Sequence, residues 1–337
     1  MTRAYNTATT QQNSGGVLNP FAAGKNKIIN GDFGIWQRGT SFTLTNSVDN
    51  IYTADRFIDF YIGTGTTTVS QQTFTPGTAP VAGYEGSFFK RAALSSGTTY
   101  YATQQKIEDV RTLAGQTVTI SFWAKATSNI GFLVYWRQNF GSGGSSLADT
   151  TSAMTVSSSS WTRYSVTIAA PSVAGKTIGT GSHVQILLAQ SGGTVASNTV
   201  DFWGFQVEAG PVATPFQTAT GTIQGELAAC QRYYWQVGPG AAYSSFGIGG
   251  FHTASNSFMC VINTPVTMRS TPTPITAGAF QTNGTGITLT TLGLNSPYTS
   301  SASFNGQWNC SGATTGYGSS IRNDNSTTAY IALSAEL

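Results

Sequence analysis

The feature that most constrains this chain is a set of short runs in which apolar and polar residues alternate. Val118-Thr119-Ile120-Ser121-Phe122-Trp123-Ala124-Lys125-Ala126 is the clearest, and Trp161–Ile168 repeats the pattern. A period of two sends successive side chains to opposite faces, so each run predicts a strand with one face on a core. Ile28–Phe33, Tyr52–Phe57, Ser87–Ala92, His183–Ala189 and Val200–Glu208 are companion candidates. Phe132–Trp136 is mostly apolar, as a strand buried on both faces would be. Turns rich in Gly, Ser, Pro and Asn separate these runs, with no long helical pattern between them. The pattern predicts a two-sheet antiparallel sandwich over residues 27–220.

Composition decides between this reading and disorder. Charged residues are 9% of the 337, against about 25% in ordinary globular chains. Low charge with 39 glycines could describe a disordered chain, but aromatics reach 12% and the apolar residues recur in ordered runs. The surface is therefore expected to be hydroxyl and amide. A net charge of +3 without clusters excludes a nucleic-acid surface. No run of 18 apolar residues predicts a membrane span, and the first ten residues hold no apolar core of a secretory signal. Three cysteines, Cys230, Cys260 and Cys310, make neither a disulfide framework nor a zinc site. Free buried thiols are favoured, with a Cys260–Cys310 bridge left open.

Only Thr222–Trp235 reads as helical. Ile223, Leu227, Cys230 and Tyr234 are spaced by four, three and four, which would place them on one stripe. So short a helix is marginal alone. The stripe predicts self-association through a short axial helix at 221–236, with copies of the chain brought together by the flanking β domains. Gly225 weakens it, and the Thr222–Glu226 spacing misses the capping box. Residues 1–26, with Asn19-Pro20-Phe21, form a polar arm that becomes ordered when a partner, or its own domain, holds it.

Residues 237–337 carry almost no charge but many aromatics, with strand candidates at Phe258–Ile262, Gly286–Thr290, Ser301–Trp308 and Ala329–Ala335. They predict a second, smaller sandwich. Sugar recognition needs flat aromatic faces for C–H surfaces and amides for hydroxyls. Tyr298, Trp308, Tyr317, Asn305, Asn309, Asn323 and Asn325 supply that alphabet, although a core role for Trp308 competes.

Bond-breaking chemistry finds less support. A polysaccharide hydrolase needs two carboxylates flanking the bond. Asp55 with Asp59, or Glu108 with Asp109, could pair, but turn positions and partnership with Arg56 and Arg111 explain them equally. His183 and His252 lack a triad or metal context, and the glycines form no phosphate loop. No catalytic residue is assigned.

An ordered series within 28–235 resembles a module of bacteriophage tail-fibre proteins. It comprises Ile28-Ile29-Asn30-Gly31-Asp32-Phe33, Trp36-Gln37-Arg38-Gly39, Thr53-Ala54-Asp55-Arg56-Phe57, Ser121–Ala126, Phe205–Gly210 with Ala213–Phe216, and Glu226–Tyr234. The module is similar in pattern to jelly-roll carbohydrate-binding modules. The resemblance implies an all-β chain of two jelly-roll-like sandwiches joined by the axial helix. It also implies a homotrimeric virion subunit that attaches to a tail or baseplate protein by its arm and binds a host-surface glycan or protein. Such modules often hold a structural calcium ion, for which Asn30, Asp32, Asp201 and Glu208 are the available oxygen donors. A non-adhesive virion subunit and a depolymerase spike are the alternatives.

Overall fold

The structure is a computed structural model that describes residues 24–45, 50–84, 87–157, 160–238, 240–294 and 299–337. The arm residues Asn19, Pro20 and Phe21 lie outside the described residues. The chain is all-β, with antiparallel sheets and one helix among the described residues. It divides into two compact units, residues 1–227 with Leu337, and residues 228–336. No helix among the described residues is long and apolar enough to cross a membrane.

The first unit holds strands β1 (Ser41–Leu44), β2 (Ile51–Tyr52), β3 (Phe57–Gly63), β4 (Thr67–Thr73), β5 (Phe88–Leu94) and β6 (Thr98–Glu108). They are followed by β7 (Thr117–Ala126), β8 (Ile130–Asn139), β9 (Ala148–Val156), β10 (Thr162–Ala169), β11 (His183–Ser191) and β12 (Asn198–Ala209). One sheet runs β1-β4-β5-β12-β7-β10 and the other β2-β3-β6-β11-β8-β9. Their facing sides share a core in which Ile120, Phe122 and Phe202 of the first sheet meet Phe132, Trp136 and Ile186 of the second. A bulge at Gly204 (φ 69°) shifts the β12–β7 register between Trp203 and Gln206. Phe202 and Phe205 both enter the core as a result, while Trp203 joins an aromatic cluster with Phe74, Phe89 and Phe216.

Ile28–Phe33 is not the strand expected from its composition. Asn30 and Phe33 adopt positive φ, and the segment turns twice. Asn30 replaces ladder bonds with side-chain ones. Its Nδ2 donates to the carbonyls of Ile35 and Asp55, and its Oδ1 accepts from Ile35 N. Gly31 is required because a Cβ there would stand 2.2 Å from the Phe205 carbonyl oxygen. Asp55 accepts from Gln37 N at 2.9 Å and lies 3.8 Å from Arg38. Asn30, Ile35, Gln37, Arg38 and Asp55 are thereby tied into a buried polar knot.

A buried ion pair joins the sheets. Lys90 Nζ on β5 donates to Asp59 Oδ1 and Oδ2 on β3 at 2.7 and 2.8 Å, and both side chains are fully buried. Tyr101 Oη donates to Asp59 at 2.6 Å, Thr53 Oγ1 donates to Asp59, and Lys90 also donates to Thr103 Oγ1. The Phe33 and Phe57 rings flank the ammonium. Burial pushes the Lys90 ammonium below its ordinary value, and Asp59 opposes that shift.

The helix α1 (Ile223–Gln231) is shorter than expected. Thr222 Oγ1 accepts from Gly225 N at 3.1 Å, so Thr222 caps the helix. Glu226 does not return to the cap but accepts from Asn30 N and Thr220 N, each at 2.7 Å. The four-residue stripe is broken. Ile223 and Leu227 are 57% and 38% exposed, whereas Cys230 and Tyr234 are buried. Tyr234 lies beyond the helix, because the chain turns at 232–233 and pairs as a strand with a later one.

The second unit has β13 (Tyr234–Val237), β14 (Ser245–Ala254), β15 (Ser257–Asn263), β16 (Thr273–Ala277) and β17 (Phe280–Thr282). It continues through β18 (Thr288–Leu289), β19 (Leu292–Leu294), β20 (Ser303–Asn309), β21 (Gly318–Asn323) and β22 (Tyr330–Ser334). A three-stranded sheet β13-β22-β16 and a seven-stranded sheet β18-β17-β21-β14-β15-β20-β19 enclose a core of Phe258, Phe280, Phe304, Trp308, Ile321 and Ile331. All three cysteines are free thiols, and burial pushes Cys260 up to about 12.

Two stability predictions follow from this packing. Lys90→Met leaves a buried carboxylate without its counter-charge and is expected to cost about 3–5 kcal/mol in urea denaturation. Adding Asp59→Asn removes that charge and should recover part of the loss. Asp32 offers a test against pH. Its carboxyl is raised from an ordinary 3.8 to about 6, first by burial and then by Glu226. The folded state thus holds a proton that the unfolded chain releases, and stability falls as pH rises from 3.8 to about 6. Asp32→Asn should raise the melting temperature above that window, by on the order of 1–2 kcal/mol in stability, and leave it unchanged below the window.

Candidate functional site

The outer face of the sheet β2-β3-β6-β11-β8-β9 is hollowed into a trough of about 540 Å³. Strand alternation builds it. On β6, residues 101 and 103 point to the core side while Tyr100, Ala102, Gln104 and Lys106 line the trough. On β11 the same alternation presents His183, Gln185 and Leu187. Small side chains make the hollow. Ala102, the cross-strand partner of the buried Ala189, and Leu187 give it an apolar floor.

Aromatic rings flank that floor. Phe60 and Tyr100 pack edge to face at 5.7 Å on one side, and Tyr135 stands on the other. Arg137 lies 5.6 Å over the Tyr135 ring and forks onto Asp149 at 2.8 and 2.7 Å. That pair of parallel hydrogen bonds fixes the orientation of the guanidinium. The Tyr100 phenol is held above its ordinary range, first by burial, then by Tyr135, with Arg137 opposing. It is a neutral hydroxyl at physiological pH.

An amide relay crosses the trough. Gln185 Nε2 donates to Gln104 Oε1, and Gln104 Nε2 donates to Asn50 Oδ1 at 3.3 Å. A side-chain amide has two donors and a two-lone-pair acceptor, so the relay orients the groups and still leaves capacity for hydroxyls. Asn139 and Lys106 complete the polar end. A flat apolar floor, ring walls and oriented amides suit a ligand with C–H faces and many hydroxyls.

The residues singled out from sequence lie elsewhere. Trp308 is fully buried against Phe280 in the second unit, so its ring offers no face to a ligand. Asn323 is also buried, where its Nδ2 donates to Ala241 O at 2.6 Å and its Oδ1 accepts from Tyr243 N. Both are structural, because alternation on their strands points them inward. Tyr317 is half exposed, on the turn before β21. Asn305 lines a separate hollow of about 310 Å³ with Phe251, Met259 and Val261. Tyr298 lies outside the described residues.

The possible calcium donors are dispersed among protein partners. Asn30 holds its own turn, Asp201 pairs with Arg91, and Glu208 pairs with Lys25 at 3.0 Å. Among the described residues, no group of three or more His, Cys, Asp or Glu side chains is placed to hold a metal. The candidate acid pairs are likewise occupied: Asp59 by Lys90, Asp55 by Gln37, and Asp109 by Arg111.

The trough residues escaped sequence reading because β6, its central strand, mixes Thr, Tyr, Gln and Lys without an apolar stripe. Its available signal was the series Tyr100, Ala102, Gln104, Lys106 at spacing two.

No family model matches this chain, and no curated protein matches it in sequence. Among solved structures, it is similar to the enzymatically active domain of tailspike protein 4 of bacteriophage CBA120. That match has 14% identity and TM-score 0.37, covering 57% of this chain and 22% of that one. It is also similar to TmCBM61 in complex with beta-1,4-galactotriose, at 12% identity and TM-score 0.33, over 55% of this chain and 99% of that one. A cyclase from Fischerella sp. TAU gives 15% identity and TM-score 0.37, over 56% and 99%. A sugar-binding module and a cyclase are thus similarly distant, and no residue role or activity is carried from any of these structures to this chain.

Proposed function

We propose that the first unit binds neutral glycan through the trough, and that the chain is a host-adhesion subunit of a bacteriophage tail fibre. The observation that carries the first part is the Ala102–Leu187 floor flanked by Phe60 and Tyr100, beside the oriented amides of Gln104 and Gln185. Sugar rings meet aromatic faces through C–H groups, and amides satisfy their hydroxyls. In this reading the mechanism is binding without bond chemistry. Asp149, the carboxylate beside the trough, is tied to Arg137 and suits a structural role better than an acid–base one. The tail-fibre assignment rests on the ordered motif series of residues 28–235, in which residues 1–26 attach to a tail or baseplate protein in the virion.

The same reading includes a homotrimer. Ile223 and Leu227 are exposed apolar residues on one short helix, and three copies meeting there would cover them. Cys230 and Tyr234 already have their burial within one chain and add nothing to such a contact. Three weak troughs on one particle gain avidity.

Two measurements test this. Titration calorimetry with a panel of neutral oligosaccharides should find a ligand, and Tyr100→Ala or Phe60→Ala should weaken it at least about tenfold, roughly 1.4 kcal/mol. Unchanged affinity in both variants would remove the trough from the function. For assembly, Leu227→Asp should convert the trimer to monomer by mass photometry, with circular dichroism unchanged. A wild-type monomer, or a trimeric variant, rejects the helix contact.

A further inference from the structure

The opposite sheet of the first unit carries a second hollow that the trough does not use. At its centre Asp201 on β12 faces Arg91 on β5 and Lys125 on β7 at directly paired register positions. The result is a row of cation, carboxylate and cation across three strands. Arg91 Nε and Nη2 donate to the two carboxylate oxygens of Asp201 at 2.7 and 2.9 Å, taking the whole fork. Lys125 Nζ stands 3.5 Å from Asp201 Oδ2, well beyond the about 2.7–2.9 Å of a charge-assisted bond.

One carboxylate therefore serves two cations, and the row keeps a net positive charge. The Asp201 side chain is only 3% exposed, while those of Arg91 and Lys125 are 36% and 32% exposed. A chain in which 9% of residues are charged has placed two cations sharing a single carboxylate at a concavity. That hollow, about 310 Å³, is lined by the row together with Ala126, Thr127 and Thr199. Beside it Trp161 lies 5.2 Å from Lys125 Nζ, and Phe89 lies 5.6 Å from the Arg91 guanidinium. The ammonium has three donors to share, and an aromatic face stands next to it.

We propose that this hollow is a second ligand site, selective for sugars that carry a carboxylate. The acid group meets the Lys125 ammonium, with Arg91 behind it, and the ring packs toward Trp161. Asp201 positions both cations and sets the affinity by withholding part of their charge. The site stands on its own geometry, whether or not the trough binds neutral glycan.

The test uses the full chain and four probes: trigalacturonate, its methyl ester, acetate and inorganic phosphate. Trigalacturonate should bind, weaken with salt, and exceed its methyl ester at least tenfold. Lys125→Met should weaken binding at least tenfold. Asp201→Asn should strengthen it, because a purely structural ion pair predicts no gain when its acid is removed. Tyr100→Ala in the trough should leave it unchanged, and thermal melts report whether each variant is folded. Equal binding of acid and ester would overturn the proposal. So would a loss in Tyr100→Ala without one in Lys125→Met, or no trigalacturonate binding at millimolar concentration. If acetate or phosphate competes as strongly as trigalacturonate, the sugar selectivity is wrong.

Discussion

The structure of the first unit depends on one buried ion pair. Lys90 and Asp59 come from different sheets, and neither is exposed. Two charges taken out of water must satisfy nearly every donor and acceptor they carry, since desolvation costs several kcal/mol per ion. Tyr101, Thr53 and Thr103 supply the remaining partners; Tyr101 and Thr103 sit at fixed register on β6, and Thr53 follows directly on β2. A hydrophobic contact tolerates sliding, but this cluster does not. It pins β3, β5 and β6 at one relative position, and period-two alternation then propagates the choice along each strand.

The trough is a consequence of that register. Tyr101 and Thr103 face inward toward the ion pair, so Tyr100, Ala102, Gln104 and Lys106 must face outward. A slip of one residue on β6 would bury the amides and expose the core. Trough-lining groups and core polar groups occupy alternate positions of one strand, so the outer face is coupled to the packing of the core. The opposite sheet follows the same logic. The bulge at Gly204 lets Phe202 and Phe205 both enter the core, while Trp203 and Asp201 face outward.

Much of the architecture was legible. Strong alternation at 118–126 and 161–168 corresponds to β7 and β10, which pair directly. The helix α1 was visible from its apolar spacing, but not its end, because Tyr234 fits the helical stripe equally well by number and only strand pairing claims it. Ile28–Phe33 read as a strand because its composition is apolar, yet Asn30 supplies competing side-chain bonds that turn the chain. The trough residues were the least legible. Trp308 and Asn323 carry the chemistry of sugar recognition and are spent on core packing and a turn. Tyr100 and Gln104 carry the same chemistry in a strand too mixed to draw notice, and Gln185 lies in a strand noticed only for its apolar residues.

The sequence by itself determined that this chain is all-β, weakly charged, rich in hydroxyls and amides, and interrupted by a short helix near residue 225. Those properties follow from local periodicity and composition, which neighbouring residues decide between themselves. Tertiary structure alone decided which aromatics and amides face outward together. β6 and β11 are about 80 residues apart along the chain, yet Gln185 and Gln104 share one hydrogen bond. No local pattern encodes that meeting. It depends on the strand order and register set by the core, including two charges that found each other across it.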